Sequence, residues 1–142
     1  MQIVVMSQSK AEEYAMQEHT EKSVIVSITC HCTFEAFIIP NRLNNIVDIL
    51  RVQFEDTDSK EIEYGGITES DAVIIRDFIN KYKDNSNIDK IIVHCHAGQS
   101  RSAGVAAAIM KYLNNDDTPI FNNHKYTPNM LCYRRVLNAF ME

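Results

Sequence analysis

Ile91-Ile92-Val93-His94-Cys95-His96-Ala97-Gly98-Gln99-Ser100-Arg101-Ser102 is the stretch on which the fold turns. Its β-branched start reads as a strand buried on both faces. A cysteine closes the run. Five residues separate it from Arg101, where an alanine-rich helix begins. A loop passing from a buried strand into a helix turns backbone N–H groups inward, and the helix N-terminus adds its positive end. The spacing predicts an anion cradle the size of a phosphate. Gly98 permits the tight backbone path, and the planar fork of Arg101 can hold two oxygens at once.

Outward from this stretch the chain alternates short apolar runs with helical periods. Ile3 to Met6, Ser23 to Thr29, Asp48 to Phe54 and Ile88 to His94 read as strands. Leu50, Val52 and Phe54 share one face. Helices are expected over Gln8 to Glu18 and after Thr68, an N-cap with Asp71 three residues on. In that second helix Ile67 staples to Ala72, and Ile74, Ile75, Phe78, Ile79 and Tyr82 form one stripe. A third helix runs from Arg101 to Leu113, with Ala103, Ala106, Ala107, Met110 and Leu113 inward. A last helix is expected with Thr127 as N-cap and Pro128 at the first position, presenting Met130, Tyr133, Leu137 and Phe140 to the core. Cys30 to Asn45 reads as a loop with helical turns, and Glu55 to Lys60 as a polar loop. The fold class is therefore α/β, with three layers. A mostly parallel central sheet of about four to five strands carries helices on both faces. Ligands are expected beyond the carboxyl ends of its strands.

The chain has 142 residues, 45% apolar and 23% charged, which fits a single domain over residues 1–142 and excludes a disordered chain. No apolar run approaches the roughly 20 residues of a membrane span. Met1 to Met6 lacks the basic and apolar regions of a signal peptide. A net charge of −5 argues against nucleic acid as partner. The four cysteines, Cys30, Cys32, Cys95 and Cys132, are expected to be free thiols in a reducing, cytoplasmic compartment.

Cys95 sits at the floor of the cradle, where the N–H groups and Arg101 favour its thiolate. A thiolate beneath a bound phosphate is a nucleophile aimed at phosphorus. The inward N–H groups and Arg101 match the charge on the three equatorial oxygens of a transferring phosphoryl group. A buried core thiol is the plain alternative, but it does not account for Gly98, Arg101 and the strand-to-helix position together. A Walker-type loop is excluded, because Gly-x4-Gly-Lys-Ser/Thr is absent. His94-Cys95-His96 and Cys30-His31-Cys32 are rich in metal-ligand types. Neither has Cys-x2-Cys spacing, and strand alternation separates neighbours, so no metal site is assigned.

Cys95 to Arg101, in Cys-x5-Arg form, resembles the signature of the protein tyrosine and dual-specificity phosphatases. The string from His94 to Ser102 is similar to that of compact dual-specificity members. Ser27-Ile28-Thr29, the segment from Leu50 to Asp56, and Pro128-Asn129 resemble small bacterial and phage-type members. The resemblance implies Cys95 as nucleophile, Arg101 as phosphate clamp and His96, Ala97, Gly98, Gln99 and Ser100 as the phosphate-binding loop. It further implies that His94 steadies the thiolate and the loop, and that Ser102 helps the thiolate leave. No metal and no cofactor is implied. An Asp from a separate loop serves such enzymes as general acid. Asp56 is preferred for its place after Phe54, with Asp58 as the alternative. The implied activity is phosphomonoester hydrolysis through a Cys95 cysteinyl-phosphate, on a phosphorylated protein partner, phosphotyrosine first and phosphoserine or phosphothreonine next.

Three other functions stay open on the residues. One is a catalytically weak phosphate-binding module, and another is a phosphatase of a small metabolite. The third is arsenate reduction or sulfur transfer, which would draw a resolving thiol from Cys30, Cys32 or Cys132. Cys132 is otherwise read as helix packing. His19, His31 and His124 are read as loop residues facing solvent, and Arg134 and Arg135 as a solvated helix face. Asn129 is read equally well as a helix-start residue or as one that holds the loop or approaches the site.

Overall fold

The computed structural model describes residues 1–31 and 45–142. Four strands form one sheet: β1 (Gln2–Ser7), β2 (Ser23–Thr29), β3 (Ile46–Gln53) and β4 (Lys90–Cys95). Their order is β1-β4-β2-β3, and every pairing is parallel. The register sets Ser7 beside Cys95, Ser27 beside His94 and Thr29 beside Gln53, so all four carboxyl ends reach one edge. The buried strands β4 and β2 lie in the middle because they are apolar on both faces. All seven residues of β2 are buried, as are the last five of β4.

Alternation along those strands builds three layers. Ile25 and Ile92 face α1 (Gln8–Ala15), where Ala11 packs between them. Val24, Val26, Ile28, Ile91 and Val93 face the other way, into the main core. That core is closed by α2 (Glu69–Tyr82), α3 (Arg101–Asn114) and α5 (Met130–Met141), with the short α4 (Thr118–Phe121) beside α3. Each fully buried Ile contributes roughly 1.5–3 kcal/mol by leaving water.

The helix starts follow local chemistry. Ser7 caps α1 by accepting from Lys10 N at 3.1 Å. Thr68 and Asp71 form a reciprocal capping box on α2, with bonds of 2.9 and 3.0 Å. The inward face of α2 is Ala72, Ile75, Phe78, Ile79 and Tyr82. Ile74, expected in that stripe, is 45% exposed, because the packed arc of the helix is narrower than the run of apolar residues. α1 stops at Ala15, short of Glu18. α3 is alanine-rich where it crosses α5. A Cβ on Gly104 would stand 2.3 Å from Asn129 O, so only glycine allows this approach.

α5 departs from expectation at its start. Its N-cap is Asn129, whose Oδ1 accepts from Cys132 N at 3.0 Å, so Thr127 and Pro128 lie outside the helix. Thr127 N and Asn129 N are instead drawn to Gln99 O and Ser100 O, which holds the chain extended for two more residues. The buried face is accordingly Leu131, Cys132, Val136, Ala139 and Phe140, while Tyr133 and Leu137 pack at its margin.

Cys30, expected as a free thiol, is disulfide-bonded. That expectation rested on the apparent lack of an export segment, which bears on compartment and not on the geometry at one cysteine. Cys95 and Cys132 are free. Cys32 and most of the stretch expected as a loop after Cys30 lie outside the described residues. No described helix is long and apolar enough to cross a membrane.

Candidate active site

Cys95 closes β4 with its thiol almost fully covered, 2% of the residue being exposed. The loop beyond it is bonded outward through its carbonyls. His96 O accepts from Gln8 N, Gln99 O from Thr127 N, and Ser100 O from both Gly104 N and Asn129 N. The N–H groups of Ala97, Gly98, Gln99 and Ser100 donate to no acceptor among the described residues. A loop whose carbonyls are bonded while its N–H groups have no protein acceptor among the described residues is an arrangement that can receive an anion. Gly98 takes φ +70°, and a Cβ there would lie 2.6 Å from Ser7 N, so the loop is pressed onto the β1–α1 junction.

Arg101 begins α3 and is buried, with 7% of it exposed. Its Nη1 donates to Phe54 O at 3.0 Å, which fixes the guanidinium beside the loop. Ser102, one residue on, places Oγ 3.0 Å from Cys95 Sγ. His94 is fully buried beneath the loop. Its Nδ1 lies 3.2 Å from Cys95 O and its Nε2 lies 2.7 Å from Ser27 Oγ. A carbonyl only accepts, so Nδ1 carries the proton and Nε2 accepts the Ser27 hydroxyl. Desolvation lowers the ring's pKa to about 4, which keeps it neutral.

Asp56 follows β3 and reaches the same edge of the sheet. Its Oδ1 accepts from Ser100 Oγ at 2.8 Å and from Asn129 Nδ2 at 2.9 Å. Its Oδ2 accepts nothing among the described residues. Asn129 Nδ2 also donates to Thr57 O at 3.0 Å. One amide side chain thus starts α5 and anchors the loop that carries Asp56, so Asn129 serves as helix start and as loop anchor together. Asp58 lines the same open pocket of about 390 Å³, with Asp56, Ser100 and Asn129, but bonds to none of them.

The structure therefore gathers Cys95, Arg101, Ser102, His94, Asp56 and the loop from His96 to Ser100 at one edge. His96 is exposed there. Cys132 is buried behind α3, where burial pushes its thiol well up and Asp56 adds to the effect. Sequence reasoning missed two partners, Ser27 for His94 and the Phe54 carbonyl for Arg101. Ser27 had a signal: a hydroxyl inside a wholly buried strand needs a partner. A backbone carbonyl leaves none. Among the described residues no three His, Cys, Asp or Glu side chains are grouped to hold a metal ion.

No protein-family profile and no curated protein matches the sequence. Solved structures do match in shape. The human tyrosine phosphatase-like serine/threonine/tyrosine-interacting protein superposes with a TM-score of 0.65 at 19% identity, over 96% of this chain and 89% of that one. The Cydia pomonella PTP-2 phosphatase gives 0.65 at 17% identity, over 97% and 85%. Human DUSP28 gives 0.62 at 14% identity, over 98% and 91%. The chain has the fold of the tyrosine and dual-specificity phosphatases.

Proposed function

We propose that this protein is a cysteine-dependent phosphomonoesterase that forms a cysteinyl-phosphate on Cys95. The observation that carries the reading is the loop around Cys95, whose N–H groups from Ala97 to Ser100 have no protein acceptor among the described residues. They and Arg101 meet the oxygens of a phosphoryl group, and Cys95 Sγ stands below its phosphorus. Attack by the thiolate forms the S–P bond and breaks the P–O bond. The leaving oxygen takes a proton from Asp56, whose Oδ2 is the oxygen left unengaged by Ser100 and Asn129. Water then attacks phosphorus, and the Asp56 carboxylate accepts its proton. The S–P bond breaks as the Ser102 hydroxyl donates to the departing thiolate from 3.0 Å. His94 takes no proton in this cycle. As a neutral ring bonded to Cys95 O it sets the backbone beneath the sulfur. Phosphotyrosine in protein is the leading substrate, with phosphoserine and phosphothreonine next. No metal or cofactor enters, because Arg101 and the loop amides supply the charge.

The test is steady-state hydrolysis of p-nitrophenyl phosphate and of a phosphotyrosine peptide. Cys95→Ser abolishes both. Asp56→Ala loses roughly 10²–10³-fold on the peptide, whose leaving group needs the proton, and far less on the activated ester. Equal losses on both substrates would move the acid to another group, Asp58 first. Wild-type protein that binds the peptide through Arg101 but turns over neither substrate is a phosphate-binding module and not an enzyme.

A further inference from the structure

A cavity of about 280 Å³ opens on the flank of α5, away from the Cys95 loop. Lys60, Arg134 and Arg135 line it, against Glu69 and Glu142, in a chain whose net charge is −5. Both carboxylates are already engaged. Glu69 Oε1 lies 3.2 Å from Arg135 Nη1, and Glu142 Oε2 lies 3.4 Å from Arg76 Nη1. Lys60 and Arg134 have no carboxylate partner among the described residues. The glutamate side chains are 88% and 67% exposed, where water screens them, but that of Arg135 is only 18% exposed. Its Nε is buried and has no hydrogen-bond partner among the described residues. A buried donor left without an acceptor is costly, and an acceptor drawn to the guanidinium edge would relieve it. The amide of Asn138 adds a neutral group to the same wall. This is a basic cavity with donors to spare.

Its place gives it an occupant. Asn129 holds Asp56, and Arg134 follows five residues later on α5, about 8 Å along the axis. Lys60 follows Asp56 on the acid loop itself. An extended peptide advances about 3.3 Å per residue, so about three residues cover the stretch of α5 between Asn129, which holds Asp56, and Arg134. We infer that the Lys60–Arg134–Arg135 cavity is a second anion subsite, which takes a carboxylate or phosphoryl group that a protein substrate carries a few residues from its scissile phosphate. The inference rests on the phosphatase reading above and adds the substrate class: phosphoproteins with an acidic flank.

The experiment compares two phosphotyrosine peptides, identical except for glutamates or glutamines at the flanking positions, with p-nitrophenyl phosphate as the third substrate. The wild type gives a KM about five- to tenfold lower for the glutamate peptide at equal kcat. Lys60→Ala and Arg134→Ala, both at exposed positions, remove that preference and leave p-nitrophenyl phosphate unchanged. Arg134→Glu turns the preference toward the neutral peptide. Normal p-nitrophenyl phosphate turnover with equal KM for the two peptides, or with neither peptide hydrolysed, overturns the subsite alone. Absence of turnover on all three substrates takes down the phosphatase reading and the subsite with it.

Discussion

His94 takes up a proton near pH 6.5 in the unfolded chain and only at about 4 in the folded one. Between those values the unfolded chain binds the extra proton, so stability falls as the pH falls through that window. The loss totals about 3 kcal/mol and is absent above pH 6.5. Urea unfolding from pH 7.5 to pH 4 measures it, and His94→Gln flattens that part of the profile. Identical slopes for the two proteins would mean that the ring titrates as if in water. The same residue shows what can be read from sequence at this scale. The placement of Cys95 and Arg101 was legible because its signals are local: a strand end, a glycine and a helix start within one loop. The partners of His94 and Arg101 come from across the sheet, 67 and 47 residues away, and no local pattern records them.

Among the elements, the α3–α5 contact bears directly on the site. Gly104 lets α3 meet the backbone of Asn129, and Asn129 in turn holds Asp56. Gly104→Ala must push the two helices apart, at a typical overpacking cost of about 1–3 kcal/mol. Because the displaced group is the anchor of Asp56, the variant loses activity on a phosphotyrosine peptide by about tenfold while still folded. Its p-nitrophenyl phosphate turnover changes little. Unfolding curves and rates at 20 °C below the variant's midpoint separate the two effects, and a loss of stability with unaltered rates would unlink the helix contact from the acid. The strands β2 and β4 were legible as short apolar β-branched runs, and the helices α2 and α3 by their helical periods, α2 also by its capping box. The start of α5 was not. Thr127-Pro128 is a sound helix opening by local rules, and it was overridden by the pull of the loop carbonyls on Thr127 N and Asn129 N. α4 has four residues and no periodic pattern to reveal it.

At the scale of the molecule, alternation of strands and helices made a parallel sheet legible, but not the order β1-β4-β2-β3. Order depends on which crossover buries which apolar face, and that is settled only when all layers are packed. The outcome sets β4 in the middle of the sheet, with the Cys95 loop braced by β1 on one side and the α5 start on the other. Asp56 is tied to that braced unit by Ser100 and Asn129, through protein groups alone. As the acid proposed above, Asp56 fastened in this way needs no lid to swing shut before each turnover. Placing Asp56 would then require none of the large strokes through solvent that govern enzymes with closing lids. Turnover of a phosphotyrosine peptide should be indifferent to added sucrose or glycerol once the rise in bulk viscosity is the only change. A rate falling in proportion to viscosity would reveal a gate in the catalytic cycle after all.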